Sequence, residues 1–133
     1  MTRRLTILFI SILLFIGISS CDELTEPQPD PKNCEVEVFT VNTSSTKTVH
    51  YEVITSGDLD VESVMYYSDN GYITIVNPTR FPMSLDFTLP SDLDSIGVFA
   101  NAKVQNGKIE VKMTVTSAGS TVSQEDACSQ ITS

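Results

Sequence analysis

Cations are scarce in this chain and imidazole is nearly absent. Eight lysines and arginines face 17 carboxylates, for a formal net charge of −9, and His50 is the single histidine. A surface of that sign repels nucleic acid and anionic head groups, so no reader of a phosphate backbone is expected. One histidine and two distant cysteines, Cys34 and Cys128, cannot assemble a zinc cage, and no cofactor is implied. The G-x-S-x-G pattern of a nucleophile elbow is missing. So is any window with an amphipathic helical stripe. No apolar run reaches the roughly 20 residues of a bilayer-crossing helix. Against these absences, 41% hydrophobic residues can form a core, which excludes wholesale disorder. A length of 133 residues holds one modest domain rather than two.

The chain opens Met1-Thr2-Arg3-Arg4, and an apolar run over 5–18 follows, broken only by Thr6, Ser11 and Gly17. Cations, a short greasy segment and small residues describe a secretory signal over residues 1–20. Ile18-Ser19-Ser20-Cys21 resembles the lipobox of bacterial lipoproteins. That resemblance implies cleavage before Cys21, diacylation of its thiol and acylation of the new amine. Three acyl chains exceed what stable anchoring requires, so the first expected partner is a membrane, held through N-terminal lipid. Asp22-Glu23 resembles an inner-membrane retention signal of enteric bacteria and a surface-export signal of other Gram-negative groups. The outer membrane or cell surface is the expected location. Pro27, Pro29 and Pro31 alternate through residues 21–33, which favours extended, solvated backbone and predicts a semi-rigid stalk. Residues 34–133 remain as the folded domain.

With Cys21 lipidated, Cys34 and Cys128 are an even pair at the two ends of that domain, in an oxidising compartment. A disulfide between them is expected, contributing about 4–5 kcal/mol through chain entropy.

From Cys34 onward the hydrophobic period is two. Met83–Leu89 and 109–115 alternate without an error, and Val49, Tyr51 and Val53 alternate with His50 and Glu52. Further strands are expected over 35–41, 61–68, 72–76 and 95–104, with a short one at 121–123. Asn70-Gly71 and Asn106-Gly107 predict type I′ hairpins. Ser56-Gly57, Pro90-Ser91-Asp92 and Ala118-Gly119 predict further turns, and Pro78 and Pro82 bracket a loop. Seven or eight short strands predict an all-β fold, an immunoglobulin-like antiparallel β-sandwich. A ligand-filled barrel is the alternative.

The stretch Val49-His50-Tyr51-Glu52-Val53-Ile54-Thr55-Ser56-Gly57 is followed by Val64-Met65-Tyr66-Tyr67-Ser68-Asp69-Asn70-Gly71. Phe81-Pro82-Met83-Ser84 and Lys108-Ile109-Glu110-Val111-Lys112-Met113 come later. In that order, over residues 47–128, the chain is similar to the small mycobacterial membrane protein (MmpS-like) family. The resemblance implies a β-sandwich displayed outside the inner membrane, in an accessory role beside large lipid-exporting permeases. It brings no catalytic residues. This chain carries a lipobox where that family has an uncleaved membrane helix, and Met83 where a tryptophan follows the proline.

His50 reads as an exposed strand residue. Asp58, Asp60 and Glu62 fall at alternate positions, and Asp92 and Asp94 repeat the spacing. A calcium loop would need glycine where Ser63 stands, so a solvated acidic face is expected and no metal site. Tyr66, Tyr67 and Tyr72 flank Asn70-Gly71, and Phe81 lies in the loop beyond. Neighbours on a strand point to opposite faces, so only one of Tyr66 and Tyr67 can enter the core. The exposed aromatics are candidates for partner binding, or else a cross-strand pair that stabilises the hairpin. The expected function is that of a lipid-anchored, extracytoplasmic, non-enzymatic module binding another envelope component. The alternative is a carrier of a lipid or small molecule between the sheets, which needs an apolar pocket of a few hundred Å³.

Overall fold

The computed structural model describes residues 27–41, 45–93 and 95–132. The expected signal over 1–20, the lipobox with Cys21 and the stalk up to residue 26 lie outside the described residues, as does Asp94.

The period-two pattern becomes strand throughout, with no helix among the described residues. The elements are β1 (Lys32–Val41), β2 (Lys47–Ser68), β3 (Gly71–Val76), β4 (Met83–Leu89), β5 (Ser95–Ser117) and β6 (Ser120–Gln130). All pairings are antiparallel. Among the described residues six strands replace the expected seven or eight, because two of them run through positions read as turns. β2 has 22 residues and β5 has 23, and they pair along almost their whole length.

Gly57 and Gly107 explain this. They stand directly opposite each other inside the β2–β5 ladder, so Ser56-Gly57 and Asn106-Gly107 are bends in continuous strands and not hairpins. A Cβ on Gly57 would lie 2.2 Å from the Asn106 carbonyl oxygen, and one on Gly107 would lie 2.2 Å from that of Ser56. Two side-chain-free residues are what such a close backbone crossing requires. Just beyond, the register skips Gln105 in β5 and then Glu62 in β2. Each bulge reverses which alternate residues face inward. In β2 the buried set passes from Val49, Tyr51, Val53 and Val61 to Val64 and Tyr66; in β5 it passes from Ala100, Ala102 and Val104 to Ile109, Val111 and Met113.

The bend folds the sheet over. One half-sheet runs β4, β2 (47–57), β5 (107–117), β6; the other runs β3, β2 (59–68), β5 (95–104), β1. A straight strand would separate residues 51 and 66 by about 50 Å, yet the Tyr51 and Tyr66 rings are 6.1 Å apart, and Phe87 of β4 stacks on Tyr66 at 5.6 Å. The inner faces therefore share one core. Cys34 of β1 and Cys128 of β6 are bonded, with Cα atoms 5.7 Å apart. Beside that bond the Glu37 amide donates to Asp126 Oδ2 at 3.0 Å. At the opposite side β3 and β4 each pair only with β2. Lys47 opens β2 on the inner face, 1% exposed. Burial lowers its pKa, and nearby Asp92 partly offsets this.

The turns differ from expectation in type. Ser68 pairs with Gly71, and neither Asp69 nor Asn70 has a positive φ, while Gly71 has φ 100°. The left-handed residue thus follows the two-residue bend instead of forming its second half. The Ser68 hydroxyl accepts from the Asn70 amide at 3.1 Å and donates to the Gly71 carbonyl at 2.8 Å. Positive φ at both central positions occurs at Ala118 (49°) and Gly119 (78°), between β5 and β6. An alanine there carries a steric penalty that glycine avoids. Ala118→Gly is expected to stabilise the fold by about 1 kcal/mol, seen as a higher urea midpoint.

Candidate partner-binding face

The outward sides of the two half-sheets are chemically unlike. On the β4–β2–β5–β6 side, residues in register form rows: Thr88, Thr48, Thr116 and Thr121; then Asp86, His50, Thr114 and Ser123; then Ser84, Glu52, Lys112 and Glu125. Hydroxyl pairs close the rows, Thr116 to Thr121 at 3.0 Å and Thr114 to Ser123 at 2.7 Å. This is a solvated polar surface.

His50 lies in it with its side chain one-third exposed, Nδ1 donating to Asp86 Oδ1 at 2.7 Å and Nε2 3.7 Å from Glu52 Oε1. Both ring nitrogens face carboxylates, and Ser123 bonds Thr114 instead of the imidazole. The arrangement suits a charged imidazolium, not a base activating a serine. The hydrogen bond to Asp86 raises the His50 pKa most; burial, the next effect in size, opposes it, and the charges of Asp86 and Glu52 add to the rise. A raised folded-state pKa contributes stability that is full below the unfolded value of about 6.5 and is lost as pH rises through the folded value. An NMR titration of His50 should therefore give a midpoint above about 6.5, with Asp86→Asn moving it back down. At this exposure the linked loss of stability should stay below about 1 kcal/mol.

The other outward side is aromatic. Glu37, Phe99, Met65 and Thr74 form one row across β1, β5, β2 and β3. In the next row toward the hairpin, Phe39 opposes Gly97 and Tyr67 opposes Tyr72. The Tyr67 and Tyr72 rings meet edge to face at 4.9 Å, and Phe99 lies 6.2 Å from Tyr72. Phe39 is 52% exposed and Tyr72 46%. Gly97 leaves room for this: a Cβ there would come 2.9 Å from Phe39 Cβ. Glu35 stands one row further toward the bend, opposite Asn101.

The candidate aromatics read from sequence are thus divided. Both Tyr67 and Tyr72 stand on this face, Tyr72 exposed and Tyr67 half-buried against the core, and their cross-strand pair also stabilises the hairpin. Tyr66, 7% exposed, is core. Phe81 is elsewhere, half-buried at a cleft of about 550 Å³ beside the bend, with Leu59, Pro78 and Lys103. Phe39, Met65 and Phe99 complete the cluster and were not anticipated. Their signal is an apolar residue in the polar phase of a strand, as in Glu35-Val36-Glu37-Val38-Phe39.

The acidic residues do not converge. Among the described residues no three carboxylate, histidine or cysteine side chains are placed to hold a metal ion. Glu62 pairs with Lys103 at 2.8 Å. Compared with known protein families, with curated proteins and with solved structures, the chain matches none.

Proposed function

We propose that this chain is a lipid-anchored, extracytoplasmic, non-enzymatic binding module, tethered through Cys21 by a stalk that ends where β1 begins at Lys32, two residues before the expected boundary, and displayed at the outer membrane or cell surface. Its two half-sheets are the layers of a β-sandwich, packed face to face in the manner of immunoglobulin-like domains. The partner is another envelope component, as the likeness to the MmpS-like accessory family suggests.

The observation that carries the binding role is the unlikeness of the two outward faces. A half-sheet with a solvated outer side needs no aromatic rings there, and rings left in water on one side only are the residue type enriched at interface centres. Supporting the envelope location, a disulfide between distant strands suits an oxidising compartment. Gln105 Nε2 donates to the Pro29 carbonyl at 2.5 Å and Gln130 Nε2 to that of Asp30 at 3.1 Å. Residues 29–30 therefore enter at the bend, so a tether there would turn the hairpin end and its aromatic row outward. The carrier alternative has less support. The apolar cavity lined by Met113, Val115 and Val122 is about 140 Å³, below the roughly 300 Å³ at which ligand pockets begin.

A photo-cross-linking residue at position 72 should trap a discrete adduct in cells, while the same residue at position 116 should not. Equal yields from both positions would overturn the binding role. Cys21→Ala should release the protein from the membrane fraction, and unchanged retention would remove the lipid anchor.

A further inference from the structure

We infer that the aromatic face holds an extended basic segment of a partner protein, its arginine or lysine side chains lying on the rings and answered by Glu35 and Glu37. This rests on reading the face as the partner surface, and adds the chemistry of what it takes.

Five observations converge on a cationic occupant. Exposed ring faces attract guanidinium and ammonium groups through the ring quadrupole, arginine most often. The charged residues on the outward side of β1 are Glu35 and Glu37, and Glu37 shares its row with Phe99. A cleft of about 460 Å³ runs between them, lined by Glu35, Glu37, Met65, Phe99, Asn101 and Asp126. It offers carboxylates at one wall and apolar side chains at the other, which matches the charged tip and aliphatic stem of a long basic residue. Lys103, the cation at the bend end of this face, is engaged by Glu62 at 2.8 Å and so does not oppose that charge. The whole chain, at −9, steers cations toward it and repels anionic partners.

The segment lies across the face and does not lengthen the sheet at β1. The Glu37 amide on that edge is already bonded to Asp126, so strand addition would have to break the seam beside the disulfide. An anionic lipid surface is a poor occupant, because Glu35 and Glu37 would meet head groups of their own sign.

The probe is a synthetic octapeptide alternating arginine and valine, with a matched glutamate–valine peptide as control. Each carries one tryptophan as reporter, since the chain has none. The full chain is held in zwitterionic nanodiscs, and empty nanodiscs correct for peptide bound to lipid. The arginine peptide should bind and the glutamate peptide should not. Glu35→Gln with Glu37→Gln should weaken binding about tenfold, and Phe39→Ser with Tyr72→Ser by at least as much. Thr116→Val with Thr121→Val, on the polar side, should leave it unchanged. The charge-removing pair replaces exposed side chains, and circular dichroism confirms that each variant remains folded.

Equal binding of both peptides, or full affinity after removal of the two carboxylates, would overturn the inference. So would a gain in affinity for nanodiscs containing anionic lipid that the Phe39 and Tyr72 changes abolish. If the arginine peptide fails while position 72 still traps a discrete adduct, the basic segment is wrong and the face stands. Failure of both removes the face as well.

Discussion

Gly57→Ala should destabilise the domain by roughly 2–5 kcal/mol, a large part of the stability available to a chain of this size. Two effects add. The residue has φ 81°, where an L side chain costs about 1–2 kcal/mol. The new methyl would also sit 2.2 Å from the Asn106 oxygen and 2.7 Å from the Gly107 Cα. Those atoms are backbone in the facing strand, so the clash cannot be relieved by a rotamer change and must push β2 from β5 at their crossing. Overpacking of that kind typically costs about 1–3 kcal/mol. Gly71→Ala is the control, because its Cβ would meet nothing within 4 Å although φ is 100°. It should show the conformational part alone, about 1–2 kcal/mol. Urea midpoints for the two variants separate the contributions. A Gly57 variant no weaker than the Gly71 variant would mean that the strands do not cross closely at the bend.

The second large effect is expected from Cys34→Ala with Cys128→Ala, a loss of about 4–5 kcal/mol. The bond spans 94 positions of sequence, so its removal frees nearly the whole folded chain in the unfolded state. It also acts at a seam with little else to hold it. β1 and β6 belong to different half-sheets with no backbone ladder between them, and what joins them besides packing is the Glu37 amide on Asp126 and Lys32 Nζ on the Ser129 carbonyl at 3.2 Å. An unlinked chain expands further on unfolding, so the slope of stability against urea should steepen as the midpoint falls. A loss under about 1 kcal/mol would show that packing closes the seam unaided.

Individual strands were legible because alternation is a local property. Met83–Leu89 is β4 to the residue. The joins were not legible, and the reason is particular. A bulge and a turn leave the same mark on a sequence: the inward phase shifts by one residue near a glycine. At Gln105 and Glu62 that shift was a bulge. At Asp69-Asn70 it was a turn. Only the partner across the ladder separates the two, and Gly57 and Gly107 proved to be partners of each other.

The site divides along the same line. That Tyr66 and Tyr67 oppose one another follows from backbone geometry and needs no tertiary information. Which of them meets water depends on the bend, since only a folded-over β2 can place Tyr66 against Tyr51 and Phe87. Phe81 looked equivalent to Tyr72 in sequence, yet the loop after β3 carries it to the cleft beside the bend. Phe39 and Phe99 are 60 positions apart in the numbering and meet on one face because β1 pairs with β5.

The amino-acid order thus dictated strand character and charge sign, both of which depend on neighbours along the chain or on composition. The doubling of the sheet, the pairing of the two glycines and the gathering of rings on one outer side came from long-range pairing. Hydrogen-bond register between distant segments is set by how all the inward side chains pack at once, and no local window contains that information.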